Sequence, residues 1–352
     1  MIKKFIVFFF LLGFGFIGLA QLSKVHYVPP LTSGPSNADP LDQYFYISTP
    51  MNGDVAFTIK PVGGDVSSYI NGQVSNSSPY KYTIASSGYS QLFQDPATTG
   101  VVTSDKGYII ESQDVIYVSI RMNAGSGAQA GALVSKGENA LGKNFRIGTY
   151  DNQGVTNAST QQNYLNFFSV MATEDQTTVN LTSNNITGLV IQNYSGQFPI
   201  ENITLNRGES YTVALKVTDA IPGNRDGLIG TLVNADKNVV VNSGSANGSF
   251  GNGQARDYGI DQIVGLDKVG KEYIFVKGDG QDSYENVLIV AHYDETTITL
   301  NAEENIVATI NKGDYYIIEG DKFSDGNLYV STSEKVFAYQ GVGGASEANQ
   351  GW

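Results

Sequence analysis

The sequence predicts an all-β protein made of tandem antiparallel β-sheet modules, three repeats of about 100 residues each. Three observations carry that expectation. The composition is rich in glycine (40) and tyrosine (21), with only 16% charged residues, and lacks long amphipathic helical stretches rich in Ala, Glu, Lys and Leu. Short apolar/polar alternation recurs along the chain. Finally, several blocks of sequence return in a constant order, which points to repeated architecture.

Residues 1–20 read as a secretory signal of the Sec type. Lys3 and Lys4 form a positive start, Phe5 to Leu19 an apolar run, and Gly18-Leu19-Ala20 a small-residue cleavage site before Gln21. The run is shorter than the roughly 20 apolar residues of a membrane span, and none later approaches it. The mature region, residues 21–352, is therefore expected to be secreted or displayed on the cell surface, with no membrane span after signal removal. Residues 1–20 carry two lysines and no acid, so the net charge of −13 becomes −15 on removal. Such an acidic chain repels phosphate backbones, which argues against a nucleic-acid partner. The chain has no cysteine. That excludes disulfides, zinc–thiolate sites and thiol nucleophiles, and leaves the apolar cores to hold the fold.

The modules are placed at about 25–121, 132–244 and 262–343. LGKNFRIGTYDNQ (141–153) matches VGKEYIFVKGDGQ (269–281), and LDQYFYIST (41–49) is aligned with the first of these through Phe45 on Phe145 and Ile47 on Ile147. ATEDQTTVNL (172–181) matches AHYDETTITL (291–300). In both, β-branched residues alternate in and out as in a half-buried strand. LNRGESY (205–211) matches INKGDYY (310–316), each placing glycine where a hairpin needs positive φ. IIESQDVIYVSI (109–120), LVNADKNVVVNSG (232–244) and YVSTSEKVFAYQG (329–341) read as closing hairpins with polar corners. Their second halves are apolar on both faces and should be central. GSGAQAG (125–131) and GSANGSFGNG (244–253) read as Gly-rich connectors between modules. The pattern leaves open whether the modules pack like propeller blades or like sandwiches.

In this order, HYVPPL (26–31), MATEDQTTVNL, LNRGESY, GTLVNADKNVVVNSG, DYGIDQIVGLDKVGKEYIFVKG and VFAYQGVGGASEANQG resemble the N-terminal domain of IgGFc-binding proteins, over residues 25–352. The resemblance implies adhesion or binding at a surface or in the secreted state, with no catalytic residues to carry over. Bacterial members of this kind occur among exported Bacteroidetes proteins with C-terminal sorting domains of the type IX secretion system. The sequence as far as Trp352 departs from that pattern in showing no sorting domain, and Asn349-Gln-Gly-Trp352 is expected to open a further unit beyond it.

Candidate chemistry is sparse, and no catalytic, cofactor or metal-ligating residue is assigned. There is no G-x-S-x-G elbow, and His26 and His292 are the two histidines; His292 is expected to pack at a strand end. Asp175 and Asp294 should shape their own turns through backbone N–H groups. The acidic loop Asp279-Gly-Gln-Asp282-Ser-Tyr-Glu285 reads as a solvated turn, with calcium the alternative. Tyr69, Tyr80, Tyr82 and Tyr89 lie in a stretch, 61–100, without a matching block, and are candidates for an exposed contact platform. The functional expectation is an exported, non-enzymatic binding or adhesion protein with an extracellular protein or glycan ligand. A polysaccharide-active hydrolase on a β scaffold is the alternative, recognisable by two facing carboxylates in a cleft.

Overall fold

The computed structural model describes residues 21–34, 39–125, 129–152, 165–184, 188–218, 220–248, 257–343 and 350–351. The signal segment, 1–20, lies outside them. Among the described residues the chain is strands and loops, with 3-10 turns such as Val66–Ser68 and Pro222–Asn224 in place of α-helices. No helix of the described residues is long and apolar enough to cross a membrane.

The first ten strands are β1 (Ser23–Val28), β2 (Leu31–Thr32), β3 (Pro40–Ser48), β4 (Val55–Pro61), β5 (Ile70–Val74), β6 (Tyr80–Ser87), β7 (Phe93–Gln94), β8 (Val102–Thr103), β9 (Tyr108–Ala124) and β10 (Gln129–Ser135). Strand β9 organises them. Its first half pairs with β4 and β1, and β4 carries β5 on its other edge. Its second half pairs with β3 and β10, and β3 carries β6. The short β2 and β7 pair in parallel.

The next seven are β11 (Gly142–Arg146), β12 (Leu165–Ala172), β13 (Thr177–Thr182), β14 (Ile200–Leu205), β15 (Ser210–Lys216), β16 (Leu232–Gly248) and β17 (Asp257–Ile263). Here β16 takes the place of β9: it pairs with β13 and β11 along its first half, and with β12 and β17 along its second. Strands β14 and β15 extend the two edges, and β15 also pairs with β8.

The remaining strands are β18 (Glu272–Val276), β19 (Asn286–Ala291), β20 (Thr296–Leu300), β21 (Ile306–Ile310), β22 (Tyr315–Glu319), β23 (Asn327–Thr332), β24 (Val336–Gly343) and β25 (Gln350–Gly351). They form two four-stranded sheets, β18-β23-β20-β21 and β22-β19-β24-β25. Both sheets feed one core, with Phe275, Ile298 and Val330 from one and Val287, Ile289 and Ile318 from the other. That is the geometry of a sandwich.

The polar corners are not hairpins. Residues on the two sides of Ala235-Asp236-Lys237-Asn238 belong to one strand: Ala235 pairs with Val179 of β13, and Val239 with Ala172 of β12. The strand continues through the corner within one eight-stranded sheet, pairing with β13 and β11 before it and with β12 and β17 after it. Beyond the corners the apolar segments are central, as their two-sided pattern requires. The glycine-rich segments taken as connectors also contribute strand: β10 begins at Gln129, opposite Ala124, and β16 continues to Gly248. At Gly244 a Cβ would stand 2.1 Å from the Gly259 carbonyl of the neighbouring β17. Glycine serves close strand approach there.

Successive cores are joined through strands buried on both faces. In β12, Phe168 and Val170 enter the second core, whereas Leu165 and Phe167 join Phe45, Val118 and Ile120 in the first. In β19, Leu288 and Val290 face the second core, and Val287 and Ile289 the third. Near-continuous apolar runs such as LNFFSVMA and NVLIVA are the sequence signature of such two-sided burial.

Candidate functional site

Most of the residues singled out by sequence are structural. His26 is fully buried, with Nε2 donating to the Ile116 carbonyl at 3.1 Å and Nδ1 3.0 Å from Ser135 Oγ. Burial lowers its pKa from 6.5 to about 4. His292 packs edge-to-face on Tyr293 with ring centroids 5.0 Å apart, and lies 6.4 Å from the Phe337 ring. Burial, aided by Arg146, lowers its pKa to about 4. The backbone places His292 opposite Thr173 of the other copy, because Ala172 and Ala291 make the same bonds to Glu209 and Asp314.

In the acidic loop, Glu285 is fully buried and accepts the N–H groups of Gly278 (3.2 Å) and Gly280 (2.9 Å), while Asp282 pairs with Lys277. Glu285 and Asp282 are thus engaged in holding the loop. Among the described residues, no group of three or more His, Asp or Glu side chains is placed to hold a metal ion.

The tyrosine platform expected at Tyr69, Tyr80, Tyr82 and Tyr89 does not form. All four are half-buried, and Tyr80, Tyr82 and Tyr89 pack against the first core. Tyr80 meets Phe57 at 5.0 Å. The stretch 61–100 carries β5 and β6, which pair regularly with β4 and β3. Its sequence has no matching block elsewhere in the chain, although its strands pair antiparallel with their neighbours.

The structure instead opens a cleft of about 510 Å³ between the second and third sets of strands. Leu141 at the start of β11 and Leu266 in the β17–β18 loop form an apolar floor, and the Leu266 N–H donates to the Asn144 carbonyl at 2.9 Å to fix that loop on β11. Tyr293, exposed at 43%, forms one wall and is braced by the His292 ring. Lys143, Asn144 and Lys335 supply polar groups around the rim. Lys143 Nζ donates to the Asp236 carbonyl at 2.7 Å, whereas Lys335 forms no ion pair among the described residues. The one carboxylate of the lining, Asp267, has Oδ2 2.9 Å from Lys268 Nζ. An apolar floor, an aromatic wall and a few convergent donors suit noncovalent capture of a ligand with both apolar and polar faces. Sequence comparison of the two copies contains a trace of this site: Tyr293 stands where the other copy has Glu174, a departure that the shared architecture does not require.

The fold is all-β, and its cleft has the lining of a binding site. The chain belongs to the IgGFc binding protein family, whose model matches residues 130–352. The match begins within β10 and includes the whole cleft. HYVPPL and the remainder of residues 25–129, which the sequence resemblance included, lie outside it. Comparison with curated proteins finds no match.

Proposed function

We propose that this is an exported, non-enzymatic binding protein of a bacterial surface or secretome, and that the Tyr293 cleft contacts an extracellular protein or glycan ligand. The observation that carries this reading is an exposed tyrosine wall beside the Lys335 ammonium, which forms no ion pair among the described residues, over an apolar floor inside the region matched by the family. The signal-like residues 1–20 support export, and the cysteine-free composition agrees with a bacterial envelope. The family name supports a protein ligand, although the cleft would accept a sugar ring against Tyr293 equally well.

The three sets of strands are best read as three copies of one eight-stranded unit. In each, a first strand and a hairpin pair with the first half of a long bent path, and a second pair of strands with its second half. A returning edge strand (β10, β17 or β25) closes the unit. Equivalent copies that share hydrogen-bonded turns but differ in their exposed side chains support a scaffold whose binding surfaces are specific to each unit.

A glycan array and a set of extracellular proteins including immunoglobulin Fc, probed with wild type, Tyr293→Ala and Lys335→Ala, test the reading. Binding lost in both variants with unchanged melting temperature is expected. Hydrolysis of chromogenic glycosides that one Asp or Glu substitution abolishes would establish the hydrolase alternative instead.

A further inference from the structure

The outer face of the β6-β3-β9-β10 surface carries a second constellation, remote in sequence from the Tyr293 cleft. Strand alternation sends Phe45 and Ile47 fully into the core and leaves Tyr44, Tyr46 and Ser48 on the other side. On β9, Val118 and Ile120 are buried while Tyr117 and Arg121 face outward. Register sets Tyr44 opposite Arg121, Tyr46 opposite Ser119 and Ser48 opposite Tyr117. On the other side of β3, Lys81 pairs with Tyr46. Its ammonium lies 3.7 Å from the Tyr44 ring centroid and 5.7 Å from that of Tyr46, and the two rings are 6.1 Å apart. Tyr46, Tyr117 and Arg121 line an open groove of about 490 Å³.

The charge balance of this face is unusual for the chain. Acids outnumber Lys and Arg by 34 to 21, yet neither Lys81 nor Arg121 forms an ion pair among the described residues. Asp42, the acid of β3, lies beyond the register irregularity between Pro40 and Gln43 and pairs with neither. Two uncompensated cations beside three tyrosines offer charge-assisted hydrogen bonds together with flat apolar faces.

We propose that this face binds an acidic glycan, with the tyrosine rings stacking on sugar faces and Lys81 and Arg121 pairing with uronate carboxylates. The geometry favours a glycan over an acidic peptide. Strand β3, which carries Tyr44 and Tyr46, is paired on both sides by β6 and β9, so a peptide strand could add only at the outer edge of β6 or β10, to the side of these rings. The groove is open and shallow, matching a chain of stacked rings. A polyanion approaching a chain of net charge −13 needs such a local cationic field to remain bound.

The experiment is titration of the full chain with oligogalacturonate, neutral galactan and poly-glutamate, at low and high salt. Oligogalacturonate should bind and weaken with salt, and galactan and poly-glutamate should not. Lys81→Gln and Arg121→Gln alter exposed side chains and should each weaken binding about tenfold with unchanged melting temperature. Tyr46→Ala should do the same, whereas Tyr293→Ala should have no effect, which separates this face from the cleft. Equal binding of poly-glutamate with no loss in Tyr46→Ala would overturn the proposal in favour of a nonspecific or peptide-binding cationic patch. Binding of galactan as tight as that of oligogalacturonate, or no binding of oligogalacturonate, would also overturn it.

Discussion

Asp175 Oδ1 accepts the backbone N–H of Arg207 at 2.9 Å, across the gap between two neighbouring turns. Asp294 does the same for Lys312 at 3.1 Å. The facing asparagines reciprocate: Asn206 Oδ1 accepts from Gln176 N at 3.3 Å and Asn311 Oδ1 from Glu295 N at 3.2 Å. The repeated acids therefore lock two turns together. The sequence predicts that each acid serves its own turn; in the folded chain the facing asparagine takes that N–H, leaving the carboxylate for the opposite hairpin. Each pair of turns thus holds two strand pairs in one register.

If the lock is architectural, Asp175→Ala and Asp294→Ala should each lower stability by about 0.5–1 kcal/mol, the range for solvent-exposed hydrogen bonds. The effects should add, because the two locks share no partner. Asp→Asn should cost less, since an amide oxygen still accepts. Urea denaturation of the two single variants and the double variant measures both the cost and the additivity.

At the junction of the second and third cores, Gly230 has φ +83° and a Cβ on it would stand 1.9 Å from the Gly313 carbonyl oxygen. Gly230→Ala must move backbone or leave the left-handed region. We expect a loss of about 2–4 kcal/mol, as large clashes and strained φ combine. Gly326→Ala, also at positive φ (+77°) but with nothing within 4 Å of the added Cβ, is the control for φ alone and should cost clearly less by thermal unfolding.

Phe167 is fully buried and carries β12 into the first core. Phe167→Ala should destabilise by about 3–5 kcal/mol through the lost ring and residual cavity. Phe167→Leu, which refills most of that volume, should recover more than half. Calorimetry of the two variants tests whether the first and second cores unfold together: a second, earlier transition only in Phe167→Ala would identify β12 as their coupling element.

The pH dependence follows from His26 and Asp257. His26 titrates near 4 when folded and 6.5 in the open chain, so the unfolded chain takes up its proton first as pH falls. Stability should decline from pH 6.5 towards 4 at up to about 1.4 kcal/mol per pH unit for this proton. His292 adds a change of the same sign. Asp257 opposes them: burial raises it from 3.8 to about 6, so between those values the folded chain holds the extra proton and gains stability as pH falls. Asp257→Asn keeps an acceptor for Ala130 N and Tyr258 N but removes this compensation. Its stability should fall more steeply than wild type between pH 6 and 4 in urea titrations, and a flatter profile would reject the assignment.

Much of the local structure was legible in the sequence. Period-two alternation located β13, β20 and the core residues Val179, Leu181, Ile298 and Leu300, because side chains of a strand must alternate faces. The two-sided apolar segments were correctly read as central strands, since only a covered strand tolerates such a pattern. Phe45 and Ile47, aligned by sequence with Phe145 and Ile147, are fully buried, as those two are.

Tertiary structure alone decided which strand meets which. LDQYFYIST was matched to the segment containing β11, but β3 pairs with β6 and the second half of β9, which is the position of β12 relative to β15 and β16. A half-buried strand has the same alternation wherever it pairs, so its pattern names a buried face and leaves its neighbours undetermined. The same limit hid the unbroken path of β16 through its polar corner, the strand in the glycine-rich segments and the convergence of Leu141, Leu266 and Tyr293 on one cleft. These features depend on contacts between residues far apart in the chain, and they exist only once the cores have packed.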